Sequence, residues 1–338
     1  MRKAVYIITS AIILISLILI GWIFYNSINP KKIGITDKTV NINVMMTRPS
    51  GWKKIVSESL MSKNDLDIID GSTATIPITA EILRQFYGYS DELVNIQGVV
   101  FHSTTHDAYL NLINKKSKSY NQSDLQLPIS LIFVTAPSEE EEQLAKAKGV
   151  EFDIVPVAKD GFVFITHKDN PIDSLTVDQI QKIYTGEIKN WKELGGEDLV
   201  ILPYQREENS GSQTAMQKIV MQNKPLIKPI DAKVYMGMGG LVDAVAEYEN
   251  GKASIGYTYY YYINNLYKND QIKVLKINGI APDNENLINN KYPFSTSYFA
   301  IIRKDEPAES NARILRDFLL TEVGQDLIQM AGYCRSVN

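Results

Sequence analysis

Arg206, Ser210, Gly211 and Ser212 fall together in the stretch Arg206-Glu207-Glu208-Asn209-Ser210-Gly211-Ser212-Gln213-Thr214. A guanidinium, small hydroxyls and a glycine in close succession suit an oxyanion. The apolar run 199–202 predicts a strand leading into the stretch, and the amphipathic pattern at 215–221 predicts a helix leading out of it. The hydroxyls then sit at a helix N-terminus, where unpaired N–H groups and the positive end of the helix dipole favour negative charge. Arg206 adds a charged fork, and Gly211 lets a ligand approach the backbone closely. The plainer chemistry of the same residues is a Ser/Thr helix cap beside a surface arginine.

Composition bounds how such an anion would be held. With 44% hydrophobic and 22% charged residues, the 338-residue chain is globular and long enough for two lobes with cores of their own. A net charge of −4 without a basic patch argues against nucleic acid as a partner. It also means that local hydrogen-bond geometry, not a broad positive field, would hold an anion. The stretch 4–25 is continuously apolar and follows Met1-Arg2-Lys3, long enough for a helix of the ~20 residues that cross a bilayer. No small-x-small cleavage site follows it before Lys31-Lys32, and the single cysteine, Cys334, is far from any lipid-modified position. The expectation is an uncleaved signal-anchor at 1–25, with Trp22 and Tyr25 at the membrane interface, and a polar stalk at 26–40. The protein would be single-pass in the cell membrane, with the lipid bilayer as one partner and its main domain extracytoplasmic.

Strands are expected at 41–44, 66–70, 99–101 and 130–134, the last three running into Gly71-Ser72-Thr73-Ala74-Thr75, His102-Ser103-Thr104-Thr105 and Thr135-Ala136-Pro137-Ser138. Each of these hydroxyl-rich ends passes into a helix pattern, which implies a largely parallel α/β sheet. Ligands of such sheets sit at the carboxyl ends of the strands, so the hydroxyl clusters are expected to converge on one crevice. Further along, Thr176 caps a helix that runs to Tyr184. Strands are expected at 162–165, 253–257 and 298–302, a helix at 241–248 after Gly239-Gly240, and one amphipathic helix over 312–330.

The series Val155-Pro156-Val157-Ala158-Lys159-Asp160-Gly161-Phe162, Thr185-Gly186-Glu187-Ile188-Lys189-Asn190-Trp191-Lys192-Glu193-Leu194-Gly195-Gly196, the Arg206 loop and Ile255-Gly256-Tyr257 occurs in that order. It resembles the phosphate-binding proteins of ABC transporters, within the type II periplasmic-binding-protein fold, from about residue 67 onward. The resemblance implies an α/β chain whose two lobes close around a small oxyanion. Lobe 1 would take residues 41–158 and 292–338, and lobe 2 residues 159–291. The family's contacts carry over to Thr75 and the Ile76 N–H, Ser103, Thr135, Arg206, Ser210, Gly211 and Ser212, with Glu208 orienting Arg206. Thr135 stands where phosphate-specific members place an aspartate. A carboxylate only accepts hydrogen bonds and so favours a protonated anion, whereas a threonine can donate to any oxyanion. The implied function is an extracytoplasmic solute-binding protein, not an enzyme, which captures phosphate or a similar oxyanion and presents it to an ABC permease. It would be a monomer and would need no cofactor or metal.

Other constellations compete. A membrane-anchored ligand sensor or adaptor could use the same fold, and an extracellular phosphatase could use Ser210 or Ser212, although no G-x-S-x-G elbow surrounds them. His102 and His106 have the spacing of a metal pair but lack a carboxylate partner in the sequence, so ordinary polar packing is expected of them. The run Tyr259-Tyr260-Tyr261-Tyr262 reads as a strand with aromatics on both faces, Trp191 as core, and Met236-Gly237-Met238-Gly239-Gly240 as a turn at the cleft edge.

Overall fold

The computed structural model describes residues 48, 51–56, 68–95, 100, 102–116, 128–222, 224–228, 234–235, 237–247 and 251–336. The expected membrane segment at 1–25, the stalk and the edge strand at 41–44 lie outside the described residues. Among those described, no helix is long and apolar enough to cross a membrane.

In chain order the strands are β1 (Ile69–Gly71), β2 (Leu131–Val134), β3 (Phe152–His167) and β4 (Ser174–Leu175). They continue as β5 (Leu202–Pro203), β6 (Gln205–Arg206), β7 (Val234–Tyr235) and β8 (Ser254–Tyr259). Last come β9 (Ile272–Val274), β10 (Lys276–Ile277), β11 (Ser295–Arg303) and β12 (Cys334–Arg335). An eight-stranded sheet follows the order β1-β2-β11-β3-β8-β5, with β9 and β12 also paired to β3.

β3 organises the molecule. Its 16 residues extend over roughly 50 Å at the usual rise of a strand. The first part pairs antiparallel with β11 and β12, and the second part, from Phe162, with β8 and β9. The residues Phe162, Val163, Phe164 and Ile165 are all buried, as a strand covered on both faces requires. The register with β11 shifts between Tyr298 and Phe299, where Val157 is the extra residue beside Pro156. Proline has no N–H to give a ladder, and such bulges are where strands tolerate it.

The sheet is mixed, not largely parallel as expected. β1 and β2 are parallel, and so are β5 and β8, but β11 runs antiparallel to both β2 and β3. Two long antiparallel strands are needed to carry the chain across and back between the flanks. The strand expected at 199–202 shortens to β5 because Leu199 instead accepts the Trp191 N–H at 2.9 Å. The single helix expected over 312–330 is two, Asn311–Leu319 and Glu322–Met330. Thr321 breaks it: its hydroxyl accepts the Gly324 N–H at 3.1 Å and donates to Phe318 O at 2.7 Å. Trp191 is buried as expected, and its indole N–H donates to Ala253 O at 2.9 Å.

Where β3 passes from one flank to the other, Asp160 is buried without a cation. Its Oδ1 accepts the N–H groups of Gly161 and Tyr261, at 2.7 and 3.0 Å. Oδ2 has no well-formed hydrogen bond, the Tyr298 hydroxyl standing beside it. Desolvation pushes this carboxyl up to about 7, against the pull of those backbone donors. The folded protein therefore holds a proton that the unfolded chain releases between about pH 4 and pH 7. This group's contribution to stability falls as pH rises through that window, by on the order of 4 kcal/mol, and is flat above it. The gain of Asp160→Asn over wild type in urea denaturation should accordingly grow between pH 5 and pH 8; a difference independent of pH would contradict this account.

Candidate anion-binding site

The hydroxyl-rich ends of β1 and β2 and the loop before the helix Thr105–Asn114 meet the Arg206 loop around one cavity of about 370 Å³. Its lining includes Ser72, Thr73, Thr104, Thr105, His106, Thr135, Arg206, Ser210, Gly211 and Ser212. All three hydroxyl clusters thus reach the same space, and Tyr259 and Tyr298 close its floor from the two flanks of β3.

Arg206 is only 6% exposed, and its fork is held in place. Nε and Nη2 donate to the two carboxylate oxygens of Glu207, at 2.9 and 2.8 Å. Nε also faces Tyr235 O at 3.0 Å, and Nη1 donates to Ser212 Oγ at 3.1 Å. Guanidinium has five N–H donors, so this pairing leaves hydrogens on the Nη1–Nη2 edge for a ligand. The orienting carboxylate is Glu207, not Glu208 as expected, since Glu208 instead accepts from Gln217 at 2.9 Å. The backbone between Arg206 and the helix turns through Asn209 at φ +62°, and Glu208 is exposed.

The helix at Gly211–Ala215 starts earlier than expected and continues as a π-helix over Met216–Met221. Ser210 is its N-cap and accepts the Gln213 N–H at 3.2 Å. Helix geometry leaves the N–H groups of Gly211 and Ser212 without intrahelical acceptors. A Cβ on Gly211 would lie 2.6 Å from Thr135 Oγ1 and 2.8 Å from Thr105 Oγ1, so glycine is what allows the two walls to come this close. Thr135 Oγ1 is buried and has no regular hydrogen bond among the described residues. The nearby Tyr259 hydroxyl is committed to Gly211 O, at 3.0 Å. Burial raises the Tyr259 phenol, which keeps it protonated as that donor. Across the mouth, Lys218 donates to Pro137 O at 2.9 Å and pairs with Glu142 at 2.7 Å, and Asn209 bonds Glu140.

Of the residues singled out from the sequence, Thr135, Arg206, Ser210, Gly211 and Ser212 line the cavity. Thr75, Ile76 and Ser103 do not. The turn at Thr73–Thr75 rotates Thr75 inward, where its hydroxyl donates to Phe133 O at 2.6 Å. The same turn uses the Ile76 N–H, which donates to Thr73 O. Ser103 faces Asp70, donating its N–H to Oδ1 and its hydroxyl to Oδ2, both at 2.8 Å. Their neighbours Ser72, Thr73, Thr104 and Thr105 form the wall instead. Thr104 reaches it at φ +107°, ψ 168°, a backbone region that glycine alone adopts without strain. No pattern of residue types distinguishes which hydroxyl of such a cluster turns outward.

His102 is tied into the loops: Nδ1 donates to Ser72 O at 2.7 Å and Nε2 faces Thr79 Oγ1 at 3.0 Å. His106 points elsewhere, to Glu141 at 2.9 Å. Among the described residues no group of histidines, cysteines and acids has metal-binding geometry.

A family model described as a PBP superfamily domain matches residues 68–320. The phosphate-binding protein PstS of Borreliella burgdorferi is 26% identical over 270 residues, covering 78% of this chain and 88% of the relative. PstS of Bacillus subtilis is 27% identical over 178 residues, 52% of this chain and 55% of that one. A crystal structure from Clostridium perfringens with bound phosphate, of the phosphate ABC transporter substrate-binding class, superposes with a TM-score of 0.57 at 26% identity. That superposition covers 79% of this chain and 98% of the other.

Asp70 joins the loops that form the walls: besides Ser103, it accepts from the Gly71 N–H at 2.7 Å and from Asn111 Nδ2 at 3.0 Å. Asp70→Asn would set an NH₂ group against these donors. The expected cost is about 2–4 kcal/mol in denaturation, beyond that of an exposed Asp→Asn change.

Proposed function

This chain belongs to the PBP superfamily, and on that premise we propose that it is an extracytoplasmic solute-binding protein that captures a tetrahedral oxyanion, inorganic phosphate foremost, for an ABC-type importer. The observation that carries the proposal is the convergence of independent donors on one cavity. These are the Nη1–Nη2 edge of Arg206, the Thr135 hydroxyl, which has no regular hydrogen bond among the described residues, and the helix-start N–H groups of Gly211 and Ser212. Ser210 and Ser212 add hydroxyls at the same helix start. Such a set is complementary to four oxygens around one centre. Thr75, Ile76 and Ser103 serve this shell indirectly, by holding the loops.

The relatives support the assignment, since those of Borreliella and Bacillus are phosphate-binding proteins and the Clostridium structure holds phosphate. We assign lobe 1 to residues 41–158 with 292–338 and lobe 2 to 159–291, so that β3 crosses between them, the chain returns just ahead of β11, and opening hinges at these two crossings. The apolar stretch at 4–25 would anchor the chain in the cell membrane with the lobes outside, and the closed lobes would dock on a permease as a monomer. No covalent step is assigned. The Ser212 hydroxyl oxygen accepts from Arg206 and that of Ser210 from Gln213, so neither serine is paired with a base.

Calorimetric titration with phosphate, after unfolding and refolding to strip carried-over ligand, tests the reading. Wild type should bind phosphate, and Arg206→Ala should weaken it by about a hundredfold or more, the effect of removing one partner of a buried charge pair. Absence of binding in the wild type, or unchanged affinity in the variant, would overturn it.

A further inference from the structure

One side chain lining the cavity, His106, is not used by the anion shell above and is backed by the buried carboxylate of Glu141. Glu141 is 1% exposed, and both its oxygens are engaged. Oε2 accepts the Ser138 N–H at 2.7 Å, and Oε1 lies 2.9 Å from His106 Nδ1. A carboxylate so placed accepts from Nδ1–H, so in the neutral imidazole the lone pair lies on Nε2. The ring directs Nε2 away from Glu141, and no described residue bonds to it. His106 lines the cavity together with Arg206, Thr135 and Ser212.

The remaining polar groups facing that space divide clearly. The Arg206 edge and the helix-start N–H groups can only donate, while the Thr135 hydroxyl can donate or accept. Among the lining carboxylates, Glu207 uses both oxygens on Arg206, Glu208 bonds Gln217, and Asp107 is exposed on the first turn of its helix. An anion with four bare oxygens needs donors only. One that still carries a proton needs an acceptor as well, and a buried O–H without one is costly.

We infer that His106 Nε2 is the acceptor through which this cavity recognises a protonated tetrahedral oxyanion, with Glu141 as the positioning residue that fixes the tautomer. The inference rests on the anion-binding reading and adds the selectivity that Thr135 does not supply. Phosphate and arsenate keep a proton near neutral pH, whereas sulfate and selenate have none. Each pair contains a smaller and a larger ion, so proton and size effects separate.

The test is calorimetry of the ligand-free full chain with all four anions, in wild type, His106→Ala and Asp107→Asn. Wild type should favour phosphate over sulfate, and arsenate over selenate, by about tenfold, the worth of one hydrogen bond. His106→Ala should erase both preferences by weakening phosphate and arsenate alone, and Asp107→Asn should keep them. Several results would overturn the inference: no preference in wild type, a preference that survives in His106→Ala, equal weakening of all four anions there, or loss of preference in Asp107→Asn. A wild type that binds none of the four refutes the oxyanion reading itself, and this inference falls with it.

Discussion

One strand's ladder carries the architecture. β3 pairs with β11 and β12 along its first part and with β8 and β9 along its second, so both walls of the cavity hang from a single backbone. Such a strand is rigid along its length and can bend only where its pairing changes. That place is occupied by Lys159, Asp160 and Gly161, the last residues paired with β11, directly before Phe162, the first paired with β8. A buried carboxyl at this point, bonded to Tyr261 N–H on one side and beside Tyr298 on the other, ties the two flanks where they would move.

The cavity is built around a positive charge in a chain of net charge −4. Arg206 tolerates its burial because Glu207 grips the Nε–Nη2 side of the guanidinium, a bidentate geometry that also aims the opposite edge. An anion entering this cavity would therefore be met by a nearly neutral ion pair, short hydroxyls and backbone N–H groups. Selectivity then rests on how these groups are oriented, not on the amount of charge. The close contact of Gly211 with Thr105 and Thr135 shows how near the walls approach. The Lys218–Glu142 and Asn209–Glu140 contacts bridge them at the mouth.

Much of this was legible in the residues. The Arg206 loop announced itself by type and spacing, and the hydroxyl-rich strand ends pointed to one crevice, because both signals are local and follow from strand and helix periodicity. Thr176 capping its helix, with Gln179 completing the box, was equally local. Other features were hidden for definite reasons. Thr75 and Ser103 carry the right hydroxyl, but Phe133 O and Asp70 claim it, and those acceptors come from segments distant in the chain. Glu207 and Glu208 are chemically alike neighbours, and only the folded chain shows that Glu207 faces the guanidinium while Glu208 accepts from Gln217.

The sequence by itself determined the class of elements, the grouping of a guanidinium, hydroxyls and a helix start in the 206–212 stretch and the apolar segment at 4–25, since these depend on residue type and near-neighbour period. Tertiary structure alone decided the mixed direction of the sheet, the pairing of His106 with Glu141 and the inward turn of Thr75. The physical reason is the same in each case. Hydrogen-bond partners of a buried polar group are chosen by what else is buried nearby, and that is settled only when distant parts of the chain have packed.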